Sequence, residues 1–183
     1  MYQLPVPDDL YSHLLQQCYT VAWRKTEDGS RSMCNISDNA NFTDVISWIN
    51  DSIADVYNDI YEEPYAQGLQ VSDAWLNRSE TGDETLLHTH PWSIISGVLY
   101  ITGDDGSTVF VQNNPYDTVN QMSMSKRYHI KQECPIANGT MIMFPSTLQH
   151  FVPVDRSREV RHTLSFNTMP SAVDDGHLIR WHS

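Results

Sequence analysis

Cysteine, positive charge and long apolar runs are all scarce in this chain of 183 residues. The three cysteines, Cys18, Cys34 and Cys134, form no close pair, which argues against a disulfide framework or a zinc knuckle. Lys and Arg total 11 against 23 Asp and Glu, so the formal net charge is −12. This acidity argues against nucleic acid or an anionic membrane as a partner, because both bind clustered positive side chains.

No stretch of the sequence is apolar over the length that a bilayer requires, and its start has no basic segment followed by an apolar run. We therefore expect a cytoplasmic protein that does not bind membranes. The length suffices for one domain with a proper core and is short for two. We predict a single domain over residues 1–183, with residues 1–67 as helical and loop support and residues 68–183 as a core that carries a metal site.

Two helices are predicted in the first third of the chain. Asp8 is placed as the cap of a helix over residues 8–18. A longer helix is predicted over residues 43–61, because Val45, Ile49 and Ile53 recur at helical spacing. A short strand is expected at residues 20–23. The polar stretch 25–41 lacks periodicity and is interpreted as a connecting loop.

From Gly68 onward, short segments alternate between apolar and polar residues and are separated by Gly, Asn, Asp and Pro. This pattern is typical of antiparallel β-structure, and a two-sheet sandwich or jelly roll buries many half-apolar strands. The fold class is therefore mainly β with N-terminal helices. Strands are predicted near residues 69–76, 85–90, 94–101, 108–112, 127–131, 140–144, 149–154, 161–167 and 178–181.

A His-x-His pair indicates a metal site. His88 and His90 lie in a predicted strand, where alternate residues share a face, so both imidazoles are expected to reach one ion. A catalytic iron or zinc site needs a third ligand from elsewhere in the chain. His150 is the best candidate, because it follows an apolar strand and a corner that contains Pro145.

A second cluster of polar residues is predicted eleven residues after His150. Arg161, Thr163 and Ser165 alternate along one predicted strand and therefore share a face. A cation and two hydroxyl groups on one face are suited to binding a carboxylate together.

These segments together resemble the 2-oxoglutarate/Fe(II)-dependent oxygenases of bacteria and their phages. The resemblance covers about residues 69–167 and rests on Trp75-x-Asn77, His88-x-His90-Pro91, Ser96-Gly97-Val98-x-Tyr100, Pro135-x-x-x-Gly139, Phe144-Pro145-Ser146, His150 and Arg161-x-Thr163-x-Ser165-Phe166-Asn167. It implies a double-stranded β-helix of the cupin-like jelly-roll type. It also implies Fe(II), 2-oxoglutarate and O₂ as reactants, and hydroxylation of a small molecule or a peptide or protein side chain with release of succinate and CO₂.

The resemblance assigns roles to individual residues. His88 matches the first iron ligand, His150 matches the distal ligand, and Arg161 with Thr163 matches the clamp on the far carboxylate of 2-oxoglutarate. Tyr100 and Asn77 are further candidates for hydrogen bonds to that cosubstrate. Trp75 and Trp92 are candidates for the pocket wall.

His90 departs from the wider superfamily, which usually has a carboxylate at this position. Either His90 completes a three-histidine site, which we favour, or water takes the third position and His90 lies behind it. A neutral ligand leaves the Fe(II) centre one charge unit more positive than a carboxylate would.

Two other functions fit parts of the same pattern. A three-histidine cupin-type dioxygenase that does not use 2-oxoglutarate fits Gly82 and the histidine pair, although it lacks the expected glutamate near residues 93–95 and leaves Arg161 unexplained. A non-catalytic jelly-roll protein with a structural metal would require a closed coordination shell. The sequence leaves open the primary substrate and the oligomeric state, with a homodimer among the options.

Overall fold

The computed structural model describes residues 1–60, 68–104, 106–112, 130–135, 137–156 and 158–171. The first third contributes β1 (Tyr2–Pro5), α1 (Asp8–Gln17), β2 (Trp23–Thr26), β3 (Gly29–Ser32), two short 3₁₀ turns (Ile36–Asp38 and Ala40–Phe42) and α2 (Thr43–Ile60). The remainder contributes β4 (Leu69–Ser79), β5 (Thr85–His88), β6 (Ile95–Thr102), β7 (Ser107–Gln112), β8 (Ile130–Pro135), β9 (Thr140–Pro145), β10 (Gln149–Val152) and β11 (Arg161–Pro170).

The strands form two antiparallel sheets. The larger has the order β1-β9-β6-β11-β4-β3-β2, and the smaller has the order β5-β10-β7-β8. Neighbours in the sheets are mostly distant in sequence, as in a double-stranded β-helix, and this confirms the predicted fold class. The predicted strand at 178–181 and the first three residues of that at 127–131 lie outside the described residues.

Alternation along the central strands divides the apolar residues between two cores. Leu99 and Ile101 of β6 belong to a large core that also contains residues of both helices, whereas Tyr100 belongs to a second, smaller cluster. The helices therefore cover one face of the larger sheet. The other face meets the smaller sheet through five buried residues, Tyr100, Phe110, Cys134, Ile142 and Phe144. The rest of that inner face carries polar side chains, which are described below.

The predicted loop at 25–41 is wrong over much of its length. Trp23–Thr26 and Gly29–Ser32 pair as a hairpin, and β3 extends the larger sheet by pairing with β4. The signal was Asp28-Gly29, since Gly29 takes φ 128, a conformation that favours glycine. Periodicity failed to detect the hairpin because it is polar and lies at a sheet edge, where few apolar side chains are buried.

Smaller differences concern the ends of elements. Pro7, rather than Asp8, occupies the cap position of α1, and no side chain caps it. β5 ends at His88, two residues earlier than predicted. The N-terminal third also supplies three strands of the larger sheet in addition to the two helices.

Candidate active site

Three histidines converge between the two sheets. His88 ends β5 and lies directly opposite His150 of β10 in the strand register. His90 lies beyond the end of β5, so its orientation does not come from strand alternation as the sequence suggested. Instead, its backbone N–H donates to the carbonyl of Ser146 at 3.0 Å, which holds the chain in a turn. One nitrogen from each of the three rings lies within 4.8 Å of the other two.

Backbone carbonyls set the protonation of two of the rings. His88 Nδ1 lies 2.7 Å from the carbonyl of Leu86, and His150 Nδ1 lies 3.0 Å from the carbonyl of Leu148. Because a carbonyl only accepts hydrogen bonds, both Nδ1 atoms carry the proton and donate. Each Nε2 is left with a lone pair, which is the arrangement found in histidines that bind metal ions.

The spacing of the donor atoms fits one metal ion. Two nitrogens bound at about 2.1 Å and at right angles to one another lie roughly 3.0 Å apart. His90 Nε2 and His150 Nε2 are separated by 3.2 Å. Three neutral imidazoles on one side of an ion would leave coordination positions open on the other, as in non-haem iron enzymes.

Burial keeps the imidazoles of His90 and His150 neutral. It lowers the pKa of His90 to about 4, and the neighbouring charges of His150, His88 and Arg31 act in the same direction. It also lowers the pKa of His150 to about 4, with His88 adding to the effect and the hydrogen bond to Leu148 opposing it. The Phe144 ring packs 4.8 Å from the His150 ring. Near neutral pH both rings are therefore ready to bind a metal ion without losing a proton.

The lowered pKa values predict acid sensitivity of the metal-free protein. Both histidines have an ordinary pKa of 6.5 and a folded pKa of about 4. The unfolded chain therefore binds more protons between these values, and the free energy of unfolding should fall as the pH drops from 6.5 toward 4. Urea denaturation of the metal-free protein across this range measures the slope. The double variant His90→Gln/His150→Gln should show a shallower slope, and an equal slope in both proteins would contradict the prediction.

A small inner cavity of about 80 Å³ lies beside the histidines. Asn77 on β4, Thr163 on β11 and Tyr100 on β6 are directly opposite one another in the register, so they form one row on the inner face of the larger sheet. Asn77 Nδ2 donates to Thr163 Oγ1 at 3.2 Å and to Ser165 Oγ at 2.9 Å. The row gives the cavity a continuous polar wall.

The Tyr100 hydroxyl lies on this wall and is 2.7 Å from Thr108 Oγ1. Burial raises the pKa of Tyr100, so the phenol stays protonated and remains a hydrogen-bond donor. Thr108 was not predicted from the sequence. The alternation of β7 places it inward, but only the paired sheets bring it to Tyr100.

Arg161 lines the inner cavity and is 5% exposed. Its Nη1 is 3.6 Å from Asp155 Oδ2, which is close enough for charge pairing and longer than a hydrogen bond. Within the described part of the chain this Nη1 atom has no hydrogen-bond partner. A buried guanidinium with an unused donor beside a polar cavity is suited to binding a carboxylate.

A second, larger cavity of about 880 Å³ reaches the histidines from outside. The β2–β3 hairpin, β4 and the start of β5 supply its walls. His88, His90, Trp75 and Arg31 line both cavities. The imidazoles of His88 and His90 therefore lie where a small inner cavity meets a larger, more open one.

All the residues singled out from the sequence for this site line the inner cavity: Asn77, His88, His90, Tyr100, His150, Arg161, Thr163 and Ser165. Trp75 also lines it. Trp92 lies at a turn with φ 65 and is 88% exposed, so its predicted place in the pocket wall is wrong. Sequence reasoning missed Arg31 because it lies in the hairpin interpreted as a loop, and missed Asp155 because only the folded chain brings it to Arg161.

Comparison with known proteins places the chain in a family. Residues 73–167, just over half of the chain, match the model of a family described as putative 2OG-Fe(II) oxygenase. Comparison with curated protein sequences finds no match.

Several solved structures have a similar fold. The alpha-ketoglutarate-dependent epimerase SnoN from nogalamycin biosynthesis has a TM-score of 0.69 at 10% identity, over 93% of this chain and 77% of its own. HygX from Streptomyces hygroscopicus, with nickel and 2-oxoglutarate bound, has a TM-score of 0.69 at 11% identity, over 92% and 82%. A prolyl-4-hydroxylase from Pseudomonas putida has a TM-score of 0.65 at 12% identity, over 91% of each chain. Among the described residues, no helix is long and apolar enough to cross a membrane.

Proposed function

The chain belongs to the 2OG-Fe(II) oxygenase family, and on that premise we propose that His88, His90 and His150 hold Fe(II) while Arg161 binds 2-oxoglutarate. The reaction proposed is oxidation, most simply hydroxylation, of a substrate in the outer cavity. Bound at this site, Fe(II) and 2-oxoglutarate supply oxygen activation, with succinate and CO₂ as the products of the cosubstrate.

One observation carries the proposal: the nitrogen triad and the unused donor of Arg161 line the same small cavity. A metal site alone would be compatible with many functions. A buried cation that lines the same cavity as the metal position favours a ligand that has a carboxylate in addition to its metal-binding group. 2-Oxoglutarate has this form, because a keto acid that can chelate a metal is joined to a second carboxylate.

The residues of the inner wall have separate tasks in this proposal. Thr163 and Ser165 offer hydroxyl groups beside Arg161 on one face of β11, and Asn77 orients both hydroxyls through its amide. The protonated Tyr100 hydroxyl offers a hydrogen-bond donor to an anionic ligand. Fixing these donors in advance lowers the entropic cost of binding and excludes water from the site.

The triad composition favours an anionic cosubstrate. Three neutral imidazoles leave the full double charge of Fe(II) uncompensated by protein ligands. This site therefore attracts a dianion such as 2-oxoglutarate more strongly than a site with a carboxylate ligand does. A three-histidine dioxygenase that uses no 2-oxoglutarate would leave the buried, unpaired donor of Arg161 without a function. We therefore favour the 2-oxoglutarate-dependent reaction.

An anaerobic titration tests the cosubstrate directly. Fe(II)-loaded protein is titrated with 2-oxoglutarate while the visible charge-transfer absorption is followed. A saturable band is expected, because the keto acid chelates the ion. If iron binds and no band develops at any concentration, the proposal fails and the cupin-type alternative takes its place.

Three statements remain predictions from the sequence. They are the cytoplasmic location, a homodimer as an option for the oligomeric state, and a primary substrate that is a small molecule or a peptide or protein side chain. O₂ and 2-oxoglutarate are the reactants common to every form of the proposal.

A further inference from the structure

Two arginines face each other on the wall of the outer cavity. Arg24 on β2 and Arg31 on β3 are directly opposite in the antiparallel register of the hairpin, and both line that cavity. Like charges at directly opposed positions destabilise a strand pair. The pair stands out in a chain with only 11 Lys and Arg residues among 183. A bound anion would add to the compensation that Asp28 provides at 3.8 Å from Arg31 Nη2.

The strand register extends the inner polar row to Arg31. Arg31 lies opposite Asn77, which in turn lies opposite Thr163, so all three project from the same face of the larger sheet. The Arg31 guanidinium carbon lies 5.2 Å from the centre of the Trp75 ring, and that ring lies 6.1 Å from the His90 ring. Trp75 therefore lies close to both this cation and His90, and its ring restricts the orientation of the guanidinium.

The donors of Arg31 are incompletely used. Its Nε is buried and has no hydrogen-bond partner within the described part of the chain. Its nearest carboxylate is Asp28, at 3.8 Å from Nη2, which is too long for a hydrogen bond. Arg24 is exposed and forms no ion pair with another described residue. The hairpin wall thus presents two cations whose hydrogen-bonding capacity is largely free.

Four carboxylates of the described residues also line the outer cavity, and two of them, Glu27 and Asp28, lie on the turn of the same hairpin. Asp73 on β4 accepts hydrogen bonds from Asn167 and Ser72. Glu27 and Glu84 are exposed at the cavity rim. An anion is therefore attracted to the two arginines and repelled by these carboxylates, and at Arg31 it competes with Asp28, whose Oδ2 lies 3.8 Å from Nη2.

We propose that the primary substrate carries an oxyanion, a carboxylate or a phosphate, which Arg31 binds with help from Arg24 beside Trp75 in the outer cavity. The proposal rests on the proposed function of the site and adds a substrate class to it. Arg31 lies outside the matched residues 73–167. It lies on the β2–β3 hairpin and lines the outer cavity as well as the inner one.

The test uses full-length protein loaded with Zn(II) in place of iron and saturated with 2-oxoglutarate. Ligand-observed NMR titrations measure the affinity for two probes, inorganic phosphate and acetate. Arg31→Gln should weaken the binding of the preferred probe at least about tenfold, because charge-assisted hydrogen bonds to a partly buried guanidinium are lost. Arg24→Gln should weaken it about threefold, as expected for an exposed charge. The probe that binds more tightly identifies the oxyanion.

Controls separate this result from general charge effects and from structural damage. Arg158→Gln removes the same charge from an exposed position outside both cavities and should change probe affinity less than about twofold. Arg24→Gln should leave the melting temperature unchanged or raise it, since it relieves the like-charge pair. A purely structural role would not combine weaker anion binding with equal or higher stability.

Three outcomes would overturn the inference. The first is that neither probe binds the wild-type protein saturably. The second is that wild type and Arg31→Gln bind the probes with equal affinity. The third is that Arg31→Gln loses as much affinity for 2-oxoglutarate as for the probe. The last would assign Arg31 to the cosubstrate. Failure of 2-oxoglutarate to bind the wild-type protein would overturn the proposed function instead, and the affinity of the Zn(II) protein for the probes would still decide the role of Arg31.

Discussion

Replacement of either His88 or His150 by alanine is expected to abolish iron binding at micromolar concentrations. Protein metal sites of a few ligands bind with about 10 kcal/mol or more, so one ligand of three contributes about 3 kcal/mol, or about 100-fold in affinity. The effect should be alike in the two variants, since their Nδ1–H groups are held in the same way by carbonyls. Anaerobic dialysis followed by metal analysis measures the stoichiometry. Full stoichiometry in either variant would refute the site.

The matched control removes a histidine from a different part of the chain. His13 lies on α1, where its ring contacts the carbonyl of Asn41. His13→Ala should keep full iron stoichiometry. A comparable loss in this variant would show that alanine substitution unfolds the protein, and circular dichroism of each variant checks that point independently.

Variants of His90 distinguish a three-histidine metal site from a site in which water is the third ligand. If His90 is a ligand, as proposed, His90→Ala loses iron as His88→Ala does. His90→Asp should retain iron, because it introduces the carboxylate that the wider superfamily uses. It should also weaken 2-oxoglutarate binding, since the added negative charge offsets part of the Fe(II) charge that attracts a dianion. Full iron content in His90→Ala would place water at the third position.

The sequence predicted the residues of the site better than it predicted the strands and turns that surround it. Period-two alternation identified β6, β9 and β11, because each strand sends successive side chains to opposite faces of the larger sheet, and inward residues such as Tyr100 and Thr163 follow from it. His90 reached the predicted place for a different reason. A hydrogen bond to Ser146, fifty-six positions along the chain, holds it there, and no local pattern encodes such a contact.

The parts that escaped prediction are those whose stability comes from distant partners. The β2–β3 hairpin has a polar sequence, and it is held by backbone pairing to β4 at a sheet edge. Its one local signal, Asp28-Gly29, is common in loops as well as in hairpins. Asp155 is buried beside Arg161 only because the chain after β10 returns to the turn at Gly82, whose N–H donates to the Asp155 carbonyl. Because the sequence did not predict the β2–β3 hairpin, it could not predict the outer cavity that this hairpin lines.

Replacement of Arg161 by alanine is expected to weaken 2-oxoglutarate binding about 100-fold or more while iron binding persists. The guanidinium is 5% exposed, and a bidentate pair with a carboxylate at such a site contributes about 3 kcal/mol. Anaerobic titration of the Fe(II) protein, followed by the visible band, gives the affinity. Arg161→Lys keeps the charge and loses the planar pair of donors, so an intermediate affinity is expected.

Loss of Arg161 also removes the guanidinium that lies 3.6 Å from the buried carboxylate of Asp155. Removing one member of a buried ion pair costs roughly 3–5 kcal/mol of stability. The double variant Arg161→Ala/Asp155→Asn removes both charges and should recover much of that stability without recovering 2-oxoglutarate affinity. The measurement thus separates the structural contribution of the pair from its role in binding.

The decisive control changes the ligand while the protein stays the same. Pyruvate has the same keto acid end as 2-oxoglutarate and lacks the distal carboxylate. The affinity of pyruvate should therefore be nearly equal for the wild-type Fe(II) protein and for Arg161→Ala. Arg161→Ala should also bind pyruvate and 2-oxoglutarate with similar affinity. The losses of binding free energy caused by removing the guanidinium and by removing the distal carboxylate would then be non-additive, because the two groups form one interaction. Equal losses for both ligands would reduce Arg161 to a structural partner of Asp155, and the inner cavity would no longer specify a dicarboxylate.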